Sequence, residues 1–230
     1  ENETLKKRLS TAGEAAVNLQ AAEERIRELE DKIFAREAER KKLHNLVSEL
    51  RGNVRVAVRV RPLLGKEVEQ EASNGNGQGV VECDKKTQFV SLARADPKKE
   101  DFNVEYDKVF DTKTSQEDVF DDVCDLVQSA LDGYQVCIFS YGQTGSGKTH
   151  TMQGGSGDMR GLIPRAVEQI LATAEAMKED GWEYTITTSF LEIYNETVND
   201  LFKVAGGVGD EKYTIRQTSA GVEIDGLEKE

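Results

Sequence analysis

The chain has 230 residues, of which 32% are charged and only 37% are hydrophobic, and its formal net charge is −13. This length accommodates one or two domains, but the hydrophobic fraction is below that of a compact enzyme, so we expect part of the chain to be non-globular. The acidic excess disfavours nucleic acid as a partner. No apolar run is long enough to cross a bilayer, so we predict no membrane partner.

The three cysteines lack the spacing of a metal site and lie in apolar stretches with strand or helix patterns. They are Cys83, Cys124 and Cys137. We interpret them as reduced core thiols, which favours the cytoplasm over a compartment where disulfides form.

The first 51 residues carry a seven-residue repeat that is typical of a coiled coil. The repeat holds from Leu5 to Leu50, eleven of its fourteen seam positions are apolar, and no proline interrupts it. The polar seam positions, which weaken the seam and help to fix its register, are Arg8, Arg36 and Arg40. We predict a two-stranded coil over residues 1–51, formed as a homodimer or alternatively as a heterodimer. The other interpretation is a single charged helix that folds back on the globular part.

The coil is expected to end at Arg51, because Gly52 can adopt the left-handed conformation that closes a helix. His44, two turns earlier, is interpreted as a surface residue of the coil. We therefore divide the chain into a coiled coil, 1–51, and a second domain, 52–230, with a hinge at Gly52 and the asparagine that follows it.

The second domain opens with signals for β-structure. Valines alternate with other residues from Asn53 to Arg61, which predicts a strand that Pro62 ends. Short apolar runs at Val80–Cys83 and Phe89–Leu92 are interpreted as surface strands.

Helix and strand signals then alternate along the chain. Apolar runs at Val136–Tyr141 and Tyr184–Tyr194 predict strands, and the nearly unbroken first run indicates a central strand covered on both faces. Helical spacing at Asp111–Leu131 and Leu162–Met177 predicts the flanking helices, the first with a capping signal that begins at Ser115. This order of elements predicts an α/β fold with a layered sheet.

Residues 142–149 match the pattern GxxxxGKT and directly follow the predicted central strand. Glycines let backbone N–H groups approach phosphate oxygens closely, Lys148 adds a positive charge near the β- and γ-phosphates, and Thr149 offers a hydroxyl to Mg²⁺. We therefore predict a nucleotide-binding phosphate loop, and a chance match is the alternative. Its predicted contact residues are Gly142, Gln143, Thr144, Gly145, Ser146, Gly147, Lys148 and Thr149.

Four stretches of the second domain carry a family resemblance, and they are Arg59-Val-Arg61-Pro62, Phe139–Met152, Gly161–Arg165 and Ser189–Glu196. Together they resemble the N-terminal half of a kinesin motor domain over residues 52–230. The segment Leu43–Asn53 is similar to the neck of the C-terminal-motor kinesins, class fourteen, in which a coiled coil precedes the motor domain.

The resemblance implies an α/β P-loop NTPase fold of the kinesin-motor type, with a central mixed sheet flanked by helices. It implies ATP or ADP with Mg²⁺ as cofactors and microtubules as the partner. In the intact protein it implies an ATPase whose hydrolysis is coupled through the neck to minus-end-directed movement. The implied location is the cytoplasm and its microtubule cytoskeleton, with the spindle as one candidate. The alternative is a non-motor coiled-coil dimer that binds nucleotide or microtubules without productive turnover.

In kinesins, the residues that match Arg59, Arg61, Pro62 and His150 line the adenine, where a cation, a proline ring and an imidazole can stack on the base. The alternatives are a solvated strand face for the arginines and a helix residue near solvent for the histidine. The glycine-rich segment before Arg160 matches a loop beside the nucleotide pocket, and a plain flexible loop is its alternative.

The two switch motifs of kinesins, NxxSSRSH and DLAGSE, do not occur in this chain. In the family these motifs position the attacking water and sense the γ-phosphate. The resemblance therefore carries no catalytic residue over to this chain. We expect little or no microtubule-stimulated ATPase activity from the chain by itself.

The charge is distributed unevenly between the two domains. Residues 1–51 contain 11 acidic and 11 basic residues, whereas residues 52–230 contain 32 acidic and 19 basic ones. The second domain therefore carries the whole net charge, and acidic tubulin should repel it overall. Lys212 and Arg216 fall where kinesins have a minor microtubule contact, although a solvated face is the favoured interpretation of these two cations.

Overall fold

The computed structural model, which leaves out the side chains of residues 4–12, describes residues 2–65, 67–69, 81–84, 86–92, 100–203, 213–218 and 221–230. Two compact units make up the chain, Glu1–Ala172 and Thr173–Glu230, and the first contains the long helix and the phosphate loop. Within the described ranges, no helix has both the length and the apolarity needed to cross a bilayer.

Helix α1, Asn2–Arg51, is a single helix of 50 residues, which confirms the predicted helix. At a rise of about 1.5 Å per residue it is about 75 Å long. Gly52 ends it with a φ of 100° and an N–H that donates to the Glu49 carbonyl at 3.1 Å. The seam residues Ile26 and Ile33 are 54% and 47% exposed. This exposed stripe suits a second helix, and the coiled-coil dimer stays a prediction.

The strands of the first unit are β1 (Ala57–Arg59), β2 (Val81–Asp84), β3 (Phe89–Leu92), β4 (Phe102–Glu105) and β5 (Lys108–Phe110). Strand β1 pairs in parallel with β5, and the other three form an antiparallel sheet in the order β2-β3-β4. The two surface strands are confirmed, although Val80 lies outside the described residues. The strand predicted from Asn53 to Arg61 is wrong in length, because β5 offers it only three residues for pairing.

The predicted helix Asp111–Leu131 is two helices, α2 (Gln116–Asp121) and α3 (Cys124–Leu131). The capping prediction is confirmed. The Ser115 hydroxyl accepts a hydrogen bond from the Asp118 N–H, and the Asp118 carboxylate accepts one from the Ser115 N–H, both at 3.0 Å. This capping box satisfies the first free N–H groups of the helix, so α2 begins after Ser115 and not at the predicted start.

The break between α2 and α3 falls at Asp122 and Val123. The Asp122 carboxylate pairs with Lys108 of β5 at 3.0 Å, while Val123 packs against the hydrophobic core. These tertiary contacts outweigh the intrinsic helical preference of the segment, which is why the prediction of one continuous helix is wrong.

A small apolar core lies where β5, α2 and the final helix of this unit meet. Its buried residues Phe110, Val119 and Leu162 are 5%, 3% and 8% exposed. Ile138 and Met152, which lie before and after the phosphate loop, pack against it. The core therefore holds both ends of that loop.

Two helices follow the phosphate loop, α4 (Lys148–Met152) and α5 (Leu162–Lys178), with a 3₁₀ turn at Gly157–Met159 between them. Helix α5 confirms the predicted second helix. A Cβ atom on Gly154 would overlap the Met159 carbonyl oxygen, so the glycine-rich connection closes on itself only with glycine at this position.

The predicted central strand Val136–Tyr141 is wrong, because residues 134–142 form no strand. Ile138 packs against the core, but Phe139 and Tyr141 are 78% and 95% exposed. A central strand needs neighbours on both sides to satisfy its backbone N–H and C=O groups, and no strand of the described residues pairs with this segment. The described strands accordingly form four small sheets, a mixture of helices and sheets without one continuous central sheet.

The same segment corrects the interpretation of the cysteines. Cys137 is exposed, and Cys83 and Cys124 are only half-buried, so none of these three cysteines is a fully buried core residue. Partial burial raises the pKa of the Cys124 thiol. Burial alternates along this segment, so Cys137 lies on the face opposite Ile138, which packs on the core, and that opposite face is uncovered.

The second unit contains two antiparallel hairpins, formed by β6 (Leu191–Tyr194) with β7 (Thr197–Asp200) and by β8 (Thr214–Thr218) with β9 (Gly221–Asp225). The strand predicted over Tyr184–Tyr194 is therefore wrong in length, because β7 pairs with only its last four residues. Arg216 is exposed and pairs with Asp225 across the second hairpin at 2.7 Å. Lys212 lies outside the described residues.

Candidate functional site

Residues 142–149 form a tight turn after the extended segment, and the last two of them begin α4. Gly145 and Gly147 have φ angles of 79° and 99°, a left-handed backbone that favours glycine. A Cβ atom on Gly142 would lie 2.5 Å from the Ser146 hydroxyl, so a side chain there would force the Ser146 side chain to move. The loop therefore has the conformations that a phosphate cradle requires.

Lys148 places its ammonium group inside this loop. Its Nζ donates to the carbonyls of Gly142 and Gln143 at 2.8 and 2.9 Å. Phosphate oxygens accept hydrogen bonds from an ammonium group more strongly than neutral carbonyls do, so Lys148 fits a contact with a nucleotide phosphate. Thr149 follows on the first turn of α4 with an exposed side chain, which suits a hydroxyl ligand for Mg²⁺.

Arg59, at the end of β1, reaches the helix that follows the phosphate loop. Its Nη1 donates to Gln116 Oε1 at 2.7 Å and to Thr151 Oγ1 at 3.1 Å, and its Nη2 donates to the Thr114 carbonyl at 3.5 Å. Burial lowers the pKa of Arg59. The structure thus brings Arg59 beside α4, and its contact with adenine stays a prediction.

Arg61 and Pro62 lie in the loop after β1. Arg61 binds the Glu67 carboxylate with two hydrogen bonds of 2.6 Å and donates to the Pro62 carbonyl at 3.1 Å. The Arg61 hydrogen bonds, assisted by one from the Leu64 N–H, lower the pKa of Glu67 to about 2. The polar contacts of Arg61 therefore remain within its own loop, whereas those of the preceding arginine reach α4.

The side chain of His150 is exposed on α4, as a stacking partner for a base would be. Its carbonyl accepts a hydrogen bond of 2.6 Å from Gln116 Nε2. Sequence reasoning missed Gln116, which is only 4% exposed. The one signal in the sequence was its position directly after the capping residue Ser115, on the first turn of α2. A polar side chain that is buried there needs specific hydrogen-bond partners.

The end of α1 packs against α3 through polar groups, an arrangement that we call the neck contact. It comprises Arg40, His44, Arg51, Arg55, Asp125, Ser129 and Asp132. Arg40 binds Asp132 with hydrogen bonds of 2.5 and 3.2 Å, and the Asp132 side chain is only 2% exposed. Hydrogen bonds to Glu37 and Asp132 raise the pKa of Arg40. A polar residue of the predicted seam therefore has its partner in the second domain.

The interpretation of His44 as a surface residue is wrong, because its ring is half-buried in the neck contact. His44 Nε2 lies 2.9 Å from the Ser129 hydroxyl oxygen and 3.0 Å from the Asp125 carbonyl oxygen, and the Ser129 hydroxyl donates to the same carbonyl at 3.1 Å. Asp125 Oδ2 also accepts from Arg51 and Arg55 at 2.7 and 3.1 Å. Since the hinge glycine lies between these arginines, one carboxylate is bound from both sides of the hinge.

The pairing with Arg61 predicts an unusually acidic titration of Glu67. Because the folded-state pKa is about 2 and the ordinary value is 4.5, the pair stabilises the fold above pH 4.5 and loses its contribution as the pH falls towards 2. A titration of the Glu67 side-chain carboxyl followed by carbon NMR should have its midpoint near 2, and Arg61→Gln should move it towards 4.5. A wild-type midpoint near 4.5 would contradict this pairing.

Known proteins resemble this chain over most of its length. The family model described as "Microtubule binding" matches residues 33–202. Carboxy-terminal kinesin 2 of Xenopus laevis is 46% identical over 209 residues, which cover 87% of this chain and 32% of that protein. Kinesin-like protein KIN-14N of Oryza sativa is 44% identical over 207 residues, covering 86% of this chain and 25% of that protein. The chain thus spans only a quarter to a third of these relatives.

A solved structure, "C-terminal motor and motor homology domain of Kar3Vik1 fused to a synthetic heterodimeric coiled coil", is similar in fold. It has a TM-score of 0.74 and 32% identity, and the match covers 99% of this chain and 60% of that one. This likeness confirms the predicted kinesin-motor fold class. The helices and sheets of this chain form an incomplete kinesin motor fold. The matched family model and the 46% identity to a carboxy-terminal kinesin show that the chain belongs to the C-terminal kinesins, the kinesin-14 family.

Proposed function

We propose that the intact protein is an ATP-driven microtubule motor that binds ATP and Mg²⁺ at the phosphate loop. The observation that carries this proposal is the Lys148 ammonium group, held inside a glycine-closed loop whose two ends pack on the core. Membership of the C-terminal kinesins supports microtubules as the track and the microtubule cytoskeleton of the cytoplasm, including the spindle, as the location.

Each predicted site residue has a role in this proposal. The backbone of the phosphate loop and Lys148 bind the β- and γ-phosphates, and Thr149 binds Mg²⁺. When bound, the metal neutralises charge on the phosphate oxygens during hydrolysis. The adenine is contacted by Arg59, Arg61, Pro62 and His150.

A phosphate loop alone does not make an ATPase, because hydrolysis also needs groups that position water and sense the γ-phosphate. The chain contains neither switch motif, so we assign it little or no microtubule-stimulated ATPase activity by itself and assign turnover to the intact protein. The second candidate is a coiled-coil dimer that binds nucleotide or microtubules without turnover. The ATPase activity of the intact protein separates the two.

The neck contact supports a coupling between the nucleotide site and the coil. It consists mainly of charged hydrogen bonds on both sides of a glycine with a left-handed φ of 100°. Such contacts can be exchanged without exposing a large apolar surface, so α1 can leave α3 by turning about Gly52. Movement towards microtubule minus ends follows in this proposal from the order of coil and motor that the C-terminal kinesins share.

The exposed seam of α1 supports a dimer as the working form. We propose a homodimer, because eleven of the fourteen seam positions of one chain are apolar and two copies can pair through them. The Kar3Vik1 structure, which carries a synthetic heterodimeric coiled coil, makes a heterodimer the alternative. Co-purification of two differently tagged copies of this chain would distinguish them.

The Lys148 ammonium group should be essential for turnover. Replacing Lys148 by alanine in the intact protein should reduce microtubule-stimulated ATPase activity by at least about 100-fold, because a charge that stabilises the transferred phosphoryl group is lost. Lys178→Ala is the matched control, since Lys178 is exposed and pairs only locally with Glu175 at 2.5 Å. Equal activity of the two variants would contradict the assignment of the phosphate loop.

Loss of the Asp132 charge should loosen the neck contact. Asp132→Asn should weaken the docking of α1 by about 1 to 2 kcal/mol, because a charged hydrogen-bond acceptor of Arg40 is lost while the guanidinium stays partly exposed. Spin labels at the exposed positions Lys32 and Glu117 should then show a second population in the distance distribution measured by electron paramagnetic resonance. Asp121→Asn, on the exposed part of α2, should keep the wild-type distances. An unchanged distribution for Asp132→Asn would argue against the neck contact.

A further inference from the structure

The amide of Gln116 joins three separate segments of the first unit. Its Oε1 accepts from Arg59 Nη1 at 2.7 Å, and its Nε2 donates to the carbonyls of His150 at 2.6 Å and Met159 at 3.1 Å. These partners lie at the end of β1, on α4 and on the 3₁₀ turn. Its side chain therefore ties one strand to the helix and the loop that follow the phosphate-binding residues.

The orientation of this amide is fixed by its partners. A side-chain amide has one acceptor oxygen and two N–H donors, and here the oxygen faces a guanidinium while both donors face carbonyls. A reversed amide would place donors against the guanidinium of Arg59 and an acceptor against two other acceptors. A glutamate could keep the contact with Arg59, but an ionised carboxylate cannot donate to the two carbonyls.

The partners of Gln116 also belong to the two ends of the proposed nucleotide site. Arg59 and His150 are the predicted adenine contacts, and α4 begins with the predicted phosphate and Mg²⁺ contacts. The helix has only five residues, and its other side-chain tie to β1 is the hydrogen bond between Arg59 and Thr151. The separation between the base and phosphate contacts therefore depends on this amide.

We infer that Gln116 is a positioning residue of the nucleotide site. It holds Arg59 against α4 so that one ligand can engage the base contacts and the phosphate loop together. The inference rests on the proposed function, because it needs a nucleoside triphosphate at residues 142–149. Loss of the amide should weaken the part of the ATP affinity that comes from the base and leave the part that comes from the phosphates unchanged.

The test compares two ligands on the intact protein, Mg²⁺-ATP and Mg²⁺-tripolyphosphate, by isothermal titration calorimetry. Gln116→Met should raise the Kd for ATP about tenfold, the scale expected for losing hydrogen bonds to a charged group. Its Kd for tripolyphosphate should stay within about twofold of wild type, since every loop contact is retained. Gln116→Glu, which keeps the shape and the contact with Arg59, should give an intermediate loss for ATP. Gln169→Met, which removes a half-buried amide of α5 that donates to the Cys124 carbonyl, is the control and should change neither Kd.

A double-mutant cycle supplies the readout that a merely structural role would not produce. Arg59→Met should show the same selective loss for ATP, and adding Gln116→Met to it should cause no further change, because the two residues act as one unit. Equal weakening of both ligands, or wild-type Kd values for ATP in both Gln116 variants, would overturn the inference. Absence of ATP binding by the wild-type protein would instead overturn the proposed nucleotide site. If Gln116→Met does not fold, Gln116→Glu and Arg59→Met decide by the same ratio of the two Kd values.

Discussion

The packing of Phe110, Val119 and Leu162 is the contact on which the geometry of the first unit depends. It joins β5, α2 and α5, and through β5 it fixes β1 by parallel pairing. Ile138 and Met152 pack on the same residues from either side of the phosphate loop. Without this contact, the loop glycines would have their conformational freedom but no fixed end points, and Arg59 would not be directed towards α4.

Polar contacts then set the relative orientation of the elements that the apolar core holds together. On the nucleotide side, Gln116 and Arg59 connect β1 with α4. In α3 and at its C-terminal end, Asp125 and Asp132 bind cations of the neck. The acidic excess of the second domain, which by itself disfavours a filament of acidic subunits, thus provides carboxylates for its own coil. Helix α2 contacts α4 through Gln116, and α3 contacts the neck through Asp125, so the α2–α3 pair lies between the two sets of contacts in the chain.

Features set by neighbouring residues could be predicted from the sequence. The phosphate loop, the capping box at Ser115 and the helix stop at Gly52 each depend on a few consecutive residue types, and the structure has the corresponding turn, cap and left-handed glycine. The family could also be predicted, because its motifs are local strings in a particular order.

Features set by distant partners could not be predicted in the same way. The apolar run at Val136–Tyr141 has the composition of a central strand, but strand formation depends on neighbours that composition does not supply. In the sequence, Arg40 only weakens the seam, and its partner Asp132 lies far along the chain, where no local pattern connects the two. His44 and Gln116 were misjudged or missed for the same reason, since a buried polar residue is explained only by the groups that three-dimensional packing brings to it.

The central claim is that the phosphate loop and the neck contact belong to one nucleotide-driven motor. Gliding of polarity-marked microtubules over the surface-bound intact protein tests it most directly. With ATP, the filaments should move with their plus ends leading, as an immobilised minus-end-directed motor requires, and movement should stop when ATP is withdrawn. Microtubules that bind without moving in ATP, or that move with their minus ends leading, would contradict the account.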